Sequence, residues 1–185
     1  MKLLTKALMS VVAAGIFSLL SSSAFAQKET TLFGEITIGK PLSIPQCKKS
    51  YESEDIMCFV KLSDPGTVSL SFATNESPDY MRFPPSIFIS NNVVIGINFV
   101  TNGVIGQSDV FQSLVKKFGQ PNSKAIGKVS TVAGVSHDSI NAEWQTPELK
   151  VLFSGVTKAS VYGLVIIGNP EGIKVMTKSN PQREM

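Results

Sequence analysis

Hydrophobic and polar positions alternate in short blocks along most of this chain and lengthen into a helical repeat at one place. Val68, Leu70 and Phe72 alternate with Ser69 and Ser71, the two-residue period of a strand with one buried face. A short run over 56–62 precedes it. Asp64-Pro65-Gly66 between the two is a turn signal, so the pair is predicted to form a hairpin. The β-branched run 31–38 is predicted as a strand ended by Gly39-Lys40-Pro41. Strands are also predicted over 87–89 and 93–100, joined by a tight turn at Ser90-Asn91-Asn92. Further strands follow over 128–135, 139–144, 149–154 and 161–168, the middle two flanking a turn at Gln145-Thr146-Pro147-Glu148. The stretch 74–86 holds three prolines and is predicted as a loop, because proline cannot donate to a strand ladder.

The helical repeat covers 108–119. Val110, Phe111, Leu114, Val115 and Phe118 fall on one face. Ser108 is placed to cap the first turn, and Asp109 and the Lys116-Lys117 pair suit the two ends of the helix dipole. Gly119 offers a left-handed exit and Pro121 prevents continuation. Strands on both sides of one helix, without regular alternation, predict an α+β domain. Its sheet is expected to be mainly antiparallel, with the 108–119 helix packed on one face. The domain is expected to span 27–170, with 171–185 as a flexible polar tail.

The start of the chain changes the picture. Lys2 and Lys6 precede an apolar or small-residue run over 7–20, then Ser21-Ser22-Ser23 and the small-x-small triplet Ala24-Phe25-Ala26. This is the pattern of a cleaved signal peptide, residues 1–26. The run is shorter than the roughly 20 residues needed to span a bilayer. Gln27 follows the expected cut where a lipoprotein would carry cysteine, so no membrane anchor is expected. The expected location is the periplasm, with secretion to the medium as the alternative.

Removing 26 of 185 residues takes two lysines and no acid, which leaves 15 basic against 14 acidic residues. A nearly neutral chain without a basic cluster excludes nucleic acid as the expected partner. Cys47 and Cys58 are the only cysteines. In an oxidising compartment they are expected to form a disulfide closing a short polar loop. A redox pair is disfavoured by the ten residues between them, and a zinc site by the single histidine.

The part 87–167 carries a strand, a helix ending Leu114-Val115-Lys116-Lys117-Phe118-Gly119-Gln120-Pro121, and a meander with Trp144 at a strand end. This layout resembles the β-lactamase-inhibitor-like fold and the small lipoprotein subunits of outer-membrane assembly machinery. The resemblance implies a domain that binds another protein and catalyses nothing.

Motifs of catalysis are scarce. His137 precedes Asp138, but neighbours on a strand point to opposite faces, and the surrounding Gly134–Ser139 stretch reads as an exposed turn. No nucleophile elbow, zinc-binding pair or phosphate loop occurs, so no cofactor is expected. The loop 78–85 is the most suggestive feature. Tyr80, Met81, Arg82 and Phe83 are types enriched in protein contacts, and its prolines lower the entropy lost on binding. The competing reading tucks Met81 and Phe83 under the loop as core. The expected function is a non-catalytic binding domain for another exported or envelope protein, such as an inhibitor, an immunity protein or an assembly accessory. The alternative is a small-ligand or lipid-binding domain with a cavity between helix and sheet. Oligomeric state is left open by the sequence.

Overall fold

A computed structural model describes residues 32–34, 36–48, 55–73, 76–130, 134–158 and 160–178. The region expected as a signal peptide, the centre of the cysteine loop and the last seven residues lie outside them. Strands β1 (Cys58–Lys61), β2 (Thr67–Ser71), β3 (Ser86–Ser90) and β4 (Val93–Thr101) form a first meander. Helix α1 (Gln107–Phe118) leads into a second, β5 (Ser123–Ser130), β6 (Ser136–Gln145), β7 (Lys150–Ser154) and β8 (Gly163–Gly168), and α2 (Pro170–Lys178) follows. All eight strands join one sheet in the order β1-β2-β3-β4-β8-β7-β6-β5, every pair antiparallel. The two meanders meet where β4 runs against β8, with Ile97 opposite Ile167 and Phe99 opposite Val165.

Local turn chemistry explains the hairpins. Gly66 adopts φ +77°, and the Thr67 N–H donates to the Asp64 carbonyl at 3.1 Å. Asn91 and Asn92 both take left-handed φ, 49° and 62°, which suits the right-handed twist of the strands they join.

The two faces of the sheet are covered by different elements. On one face Ile87, Ile97, Phe99, Val151, Phe153, Val165 and Ile167 pack against Val110, Phe111 and Leu114 of α1. Leu32, Ile36, Ile38 and Ile44 from the segment before β1 complete this main core. Phe111 stacks on Phe153 at 6.4 Å between centroids and lies 6.0 Å from Trp144. The Trp144 indole N–H donates to the Gly119 carbonyl at 2.8 Å, fastening the end of α1 to β6.

On the opposite face α2 packs over Phe88, Leu152, Leu164 and Ile166 through Ile173 and the fully buried Met176. Its close approach needs glycine. A Cβ on Gly172 would stand 2.0 Å from the Ile95 carbonyl oxygen, and one on Gly96 would stand 2.4 Å from the Met176 methyl.

Several expectations are corrected. Residues 36–38 and the described part of 31–34 do not extend as a strand. The chain folds at Gly34 (φ +52°), the Ile36 N–H donates to the Phe33 carbonyl, and the apolar side chains all serve as a lid on the main core. Ser108 does not cap α1. Gly106 holds that position with no side-chain bond, and Ser108 lies exposed within the helix. The strand expected over 128–135 begins at Ser123, and 131–133 lie outside the described residues. The molecule has a second helix. α2 starts at Pro170 and takes up 171–178 of the region expected as a tail, and the Asn169 side chain caps it by accepting the Gly172 N–H at 2.8 Å. His137 lies in β6, half-buried and opposite Val129, rather than in an exposed turn.

Candidate functional site

The loop 78–85 is held at one end of the sheet. The Met81 N–H donates to the Pro78 carbonyl, the Arg82 N–H to the Val100 carbonyl at 2.9 Å, and the Asn102 N–H to the Tyr80 carbonyl. Asn102 Nδ2 also donates to the Asp79 carbonyl at 2.8 Å. The backbone turns here rather than running as a strand, so neighbouring side chains do not alternate between the two sides. Tyr80 and Met81 face inward, half-buried against the main core, with the Tyr80 ring 6.1 Å from that of Phe99. Burial pushes the Tyr80 phenol above its ordinary value.

Arg82 and Phe83 turn outward. Phe83 is 52% exposed and meets Tyr162 edge-on at 6.1 Å, while the Arg82 guanidinium sits 5.6 Å from the Tyr162 ring centroid and 5.8 Å from that of Phe83. The neighbouring loops extend this cluster. Val104 donates its N–H to the Val161 carbonyl at 3.1 Å, and both side chains are exposed. Gly103 permits that contact, since it carries φ +58° and a Cβ would collide with the Val161 oxygen. Ile105, next in the chain, is 93% exposed. The result is an apolar, aromatic patch with one cation at the end of the sheet. Of the four expected contact residues, Arg82 and Phe83 belong to it, and Tyr80 and Met81 anchor the loop. Tyr162, Val161 and Ile105 are members that the sequence reading did not single out. The only signal for them was apolar side chains beside Gly103 and Gly163.

The α2 face carries a second feature. Beside α2 a groove of about 460 Å³ has a floor of Leu152, Leu164 and Ile166. Thr177 of α2 forms one wall, and Val156-Thr157-Lys158 lines another part. That second segment is tied to β6 by Ser139, whose hydroxyl accepts the Val156 N–H at 2.9 Å and donates to the Val156 carbonyl at 3.0 Å. Glu143 at the groove is paired with Lys150 at 2.8 Å. The groove lies on the face opposite α1, not between α1 and the sheet.

Cys47 and Cys58 are joined, with Cα atoms 5.0 Å apart. Asp138, beside His137, is paired with Lys128 at 2.7 Å. Among the described residues no three His, Cys, Asp or Glu side chains converge as a metal site, and no helix is long and apolar enough to cross a membrane. Compared with known families, curated proteins and solved structures, the chain matches no family model, no curated protein and no solved structure.

Proposed function

We propose that this is an exported, non-catalytic domain that binds another exported or envelope protein through the patch formed by Arg82, Phe83, Ile105, Val161 and Tyr162. The observation that carries this reading is the outward clustering of aromatic and aliphatic side chains from three separate loops. A large apolar side chain such as Ile105 gains nothing from full exposure, and contiguous exposed patches mark interaction sites. Tyr, Phe and Arg are the types that anchor interfaces. The loops are tied down by backbone hydrogen bonds, so little entropy is lost when the patch is covered. The resemblance of 87–167 to inhibitor-like and assembly-accessory domains, with Trp144 at a strand end, points to the binding of another protein. The disulfide suits an oxidising compartment.

The test is capture from an exported-protein fraction with wild type and with a Phe83→Ser/Ile105→Ser variant. The expected result is a partner retained by wild type and lost by the variant, at unchanged melting temperature. Equal retention by both would contradict the reading.

The groove favours a second reading, a small apolar ligand. Its volume falls within the range of about 300–1,000 Å³ typical of ligand sites, and its floor is aliphatic. Native mass spectrometry of the protein purified without detergent tests it. A bound species displaced by Leu164→Trp would support it, and a bare chain would count against it.

A further inference from the structure

The two edges of the sheet are treated differently. At the β1 edge, the Cys47 N–H donates to the Phe59 carbonyl at 2.9 Å and the Phe59 N–H donates to the Pro45 carbonyl at 3.0 Å. The disulfide to Cys58 pins this cover in place. At the other edge β5 is eight residues long, regular and free of proline, and no described segment pairs with its outer side. Long bare edges attract other strands, and proteins normally blunt them.

Which groups β5 presents follows from its neighbour. The Ile140 N–H donates to Gln107 Oε1 at 2.9 Å, and the Ile140 carbonyl accepts the Gly155 N–H at 2.7 Å. Gln107 Nε2 donates to the Asp138 carbonyl at 2.8 Å. Both residues therefore spend their backbone groups on the side away from β5. In an antiparallel pair, opposite residues exchange both hydrogen bonds or neither. Ile126 stands opposite Ile140 and Lys128 opposite Asp138, so neither bonds to β6. Their N–H and C=O groups point outward, and the two-residue period adds those of Lys124.

The same three residues set the side-chain character of the edge. The Lys124 ammonium lies 4.4 Å from the Phe111 ring centroid, Lys128 reaches Asp138, and Ile126 between them is 66% exposed. The sequence Lys-x-Ile-x-Lys is complementary to acid-x-apolar-x-acid. It also disfavours a second copy. Antiparallel pairing about Ile126 would set Lys124 of each copy against Lys128 of the other, and like charges directly opposite are destabilising. We propose that β5 accepts, by strand addition, an extended acidic segment of another protein, held by the outward backbone groups of Lys124, Ile126 and Lys128. This surface is separate from the Phe83–Tyr162 patch, and either can fail without the other.

The test is a titration of ¹⁵N-labelled protein with the acetylated, amidated peptide Thr-Glu-Thr-Val-Thr-Glu-Thr. Shifts and slowed amide exchange should concentrate at Lys124, Ile126 and Lys128. The peptide with Lys for Glu should bind about tenfold more weakly. Ile126→Pro removes an outward N–H without taking a bond from β6, and should abolish binding. Lys124→Glu/Lys128→Glu should reverse the peptide preference, and it decides the matter if the proline variant fails to fold. Phe83→Ala should leave the titration unchanged. Equal binding of both peptides, shifts centred on the groove residues Leu152 and Ile166, no shift at β5, or a wild-type dimer built on β5 would each overturn the proposal.

Discussion

Thr101 is fully buried at the end of β4, and its hydroxyl finds no hydrogen-bond partner among the described residues. A buried polar group left unpaired costs about 1–3 kcal/mol. Thr101→Val keeps the shape and removes the group, so it should raise unfolding stability by about 1 kcal/mol in urea denaturation. Tyr80 and Arg82, two residues apart, should separate cleanly. Tyr80→Ala empties a place in the main core and should cost about 2 kcal/mol. Arg82→Ala, at an exposed position, should stay within about 0.5 kcal/mol of wild type. Tyr80 also carries a pH signature. Its folded phenol titrates above the ordinary 10.0 because burial disfavours the phenolate. Its contribution is fully present below pH 10. As pH rises past that value the unfolded chain releases a proton that the folded chain keeps, and stability falls until the raised folded value is passed. Comparing alkaline denaturation of wild type and Tyr80→Phe should show a shallower loss above pH 10 in the variant.

Among the elements, those with local signals were legible in the sequence. Asp64-Pro65-Gly66 and Asn91-Asn92 specify their turns through backbone conformation alone, and α1 combines an apolar face with Gly119 at its exit. The misses have physical causes. β5 is an edge strand with six of its eight residues exposed, so no alternation of burial marks Ser123–Gly127. α2 buries only Gly172 and Met176 fully, and it can pack there only because Gly96 and Gly168 lie under it from distant parts of the chain. Ser108 does not cap α1 because the helix starts one residue earlier, at Gln107, whose side chain is committed to β6, with Gly106 leading in. The outward patch was half legible. Residue types marked Arg82 and Phe83, but Tyr162 joins them only through the fold. Gly172→Ala should force α2 off the sheet, since the new Cβ would meet backbone rather than a movable side chain. The expected cost is about 1–3 kcal/mol, read from thermal unfolding, with faster amide exchange confined first to α2.

At the scale of the whole molecule, two meanders share one sheet, with α1 and the early segment closing one face and α2 closing part of the other. The disulfide belongs to this scale because it pins the segment that pairs with Phe59 at the β1 edge of the sheet. Replacing both cysteines by serine should cost about 3 kcal/mol by the loop-closure relation. Among the described residues the aromatic patch, the groove beside α2 and the β5 edge stay exposed, and they support the proposed role in recognition. The most direct measurement of that claim is the affinity of the captured partner for wild type and for Phe83→Ala, with both melting temperatures recorded. The account predicts binding weakened by about tenfold or more, as for an interface anchor worth at least 1.4 kcal/mol, with melting temperatures within a few degrees. Unchanged affinity, or weaker binding that merely follows a large fall in melting temperature, would contradict it.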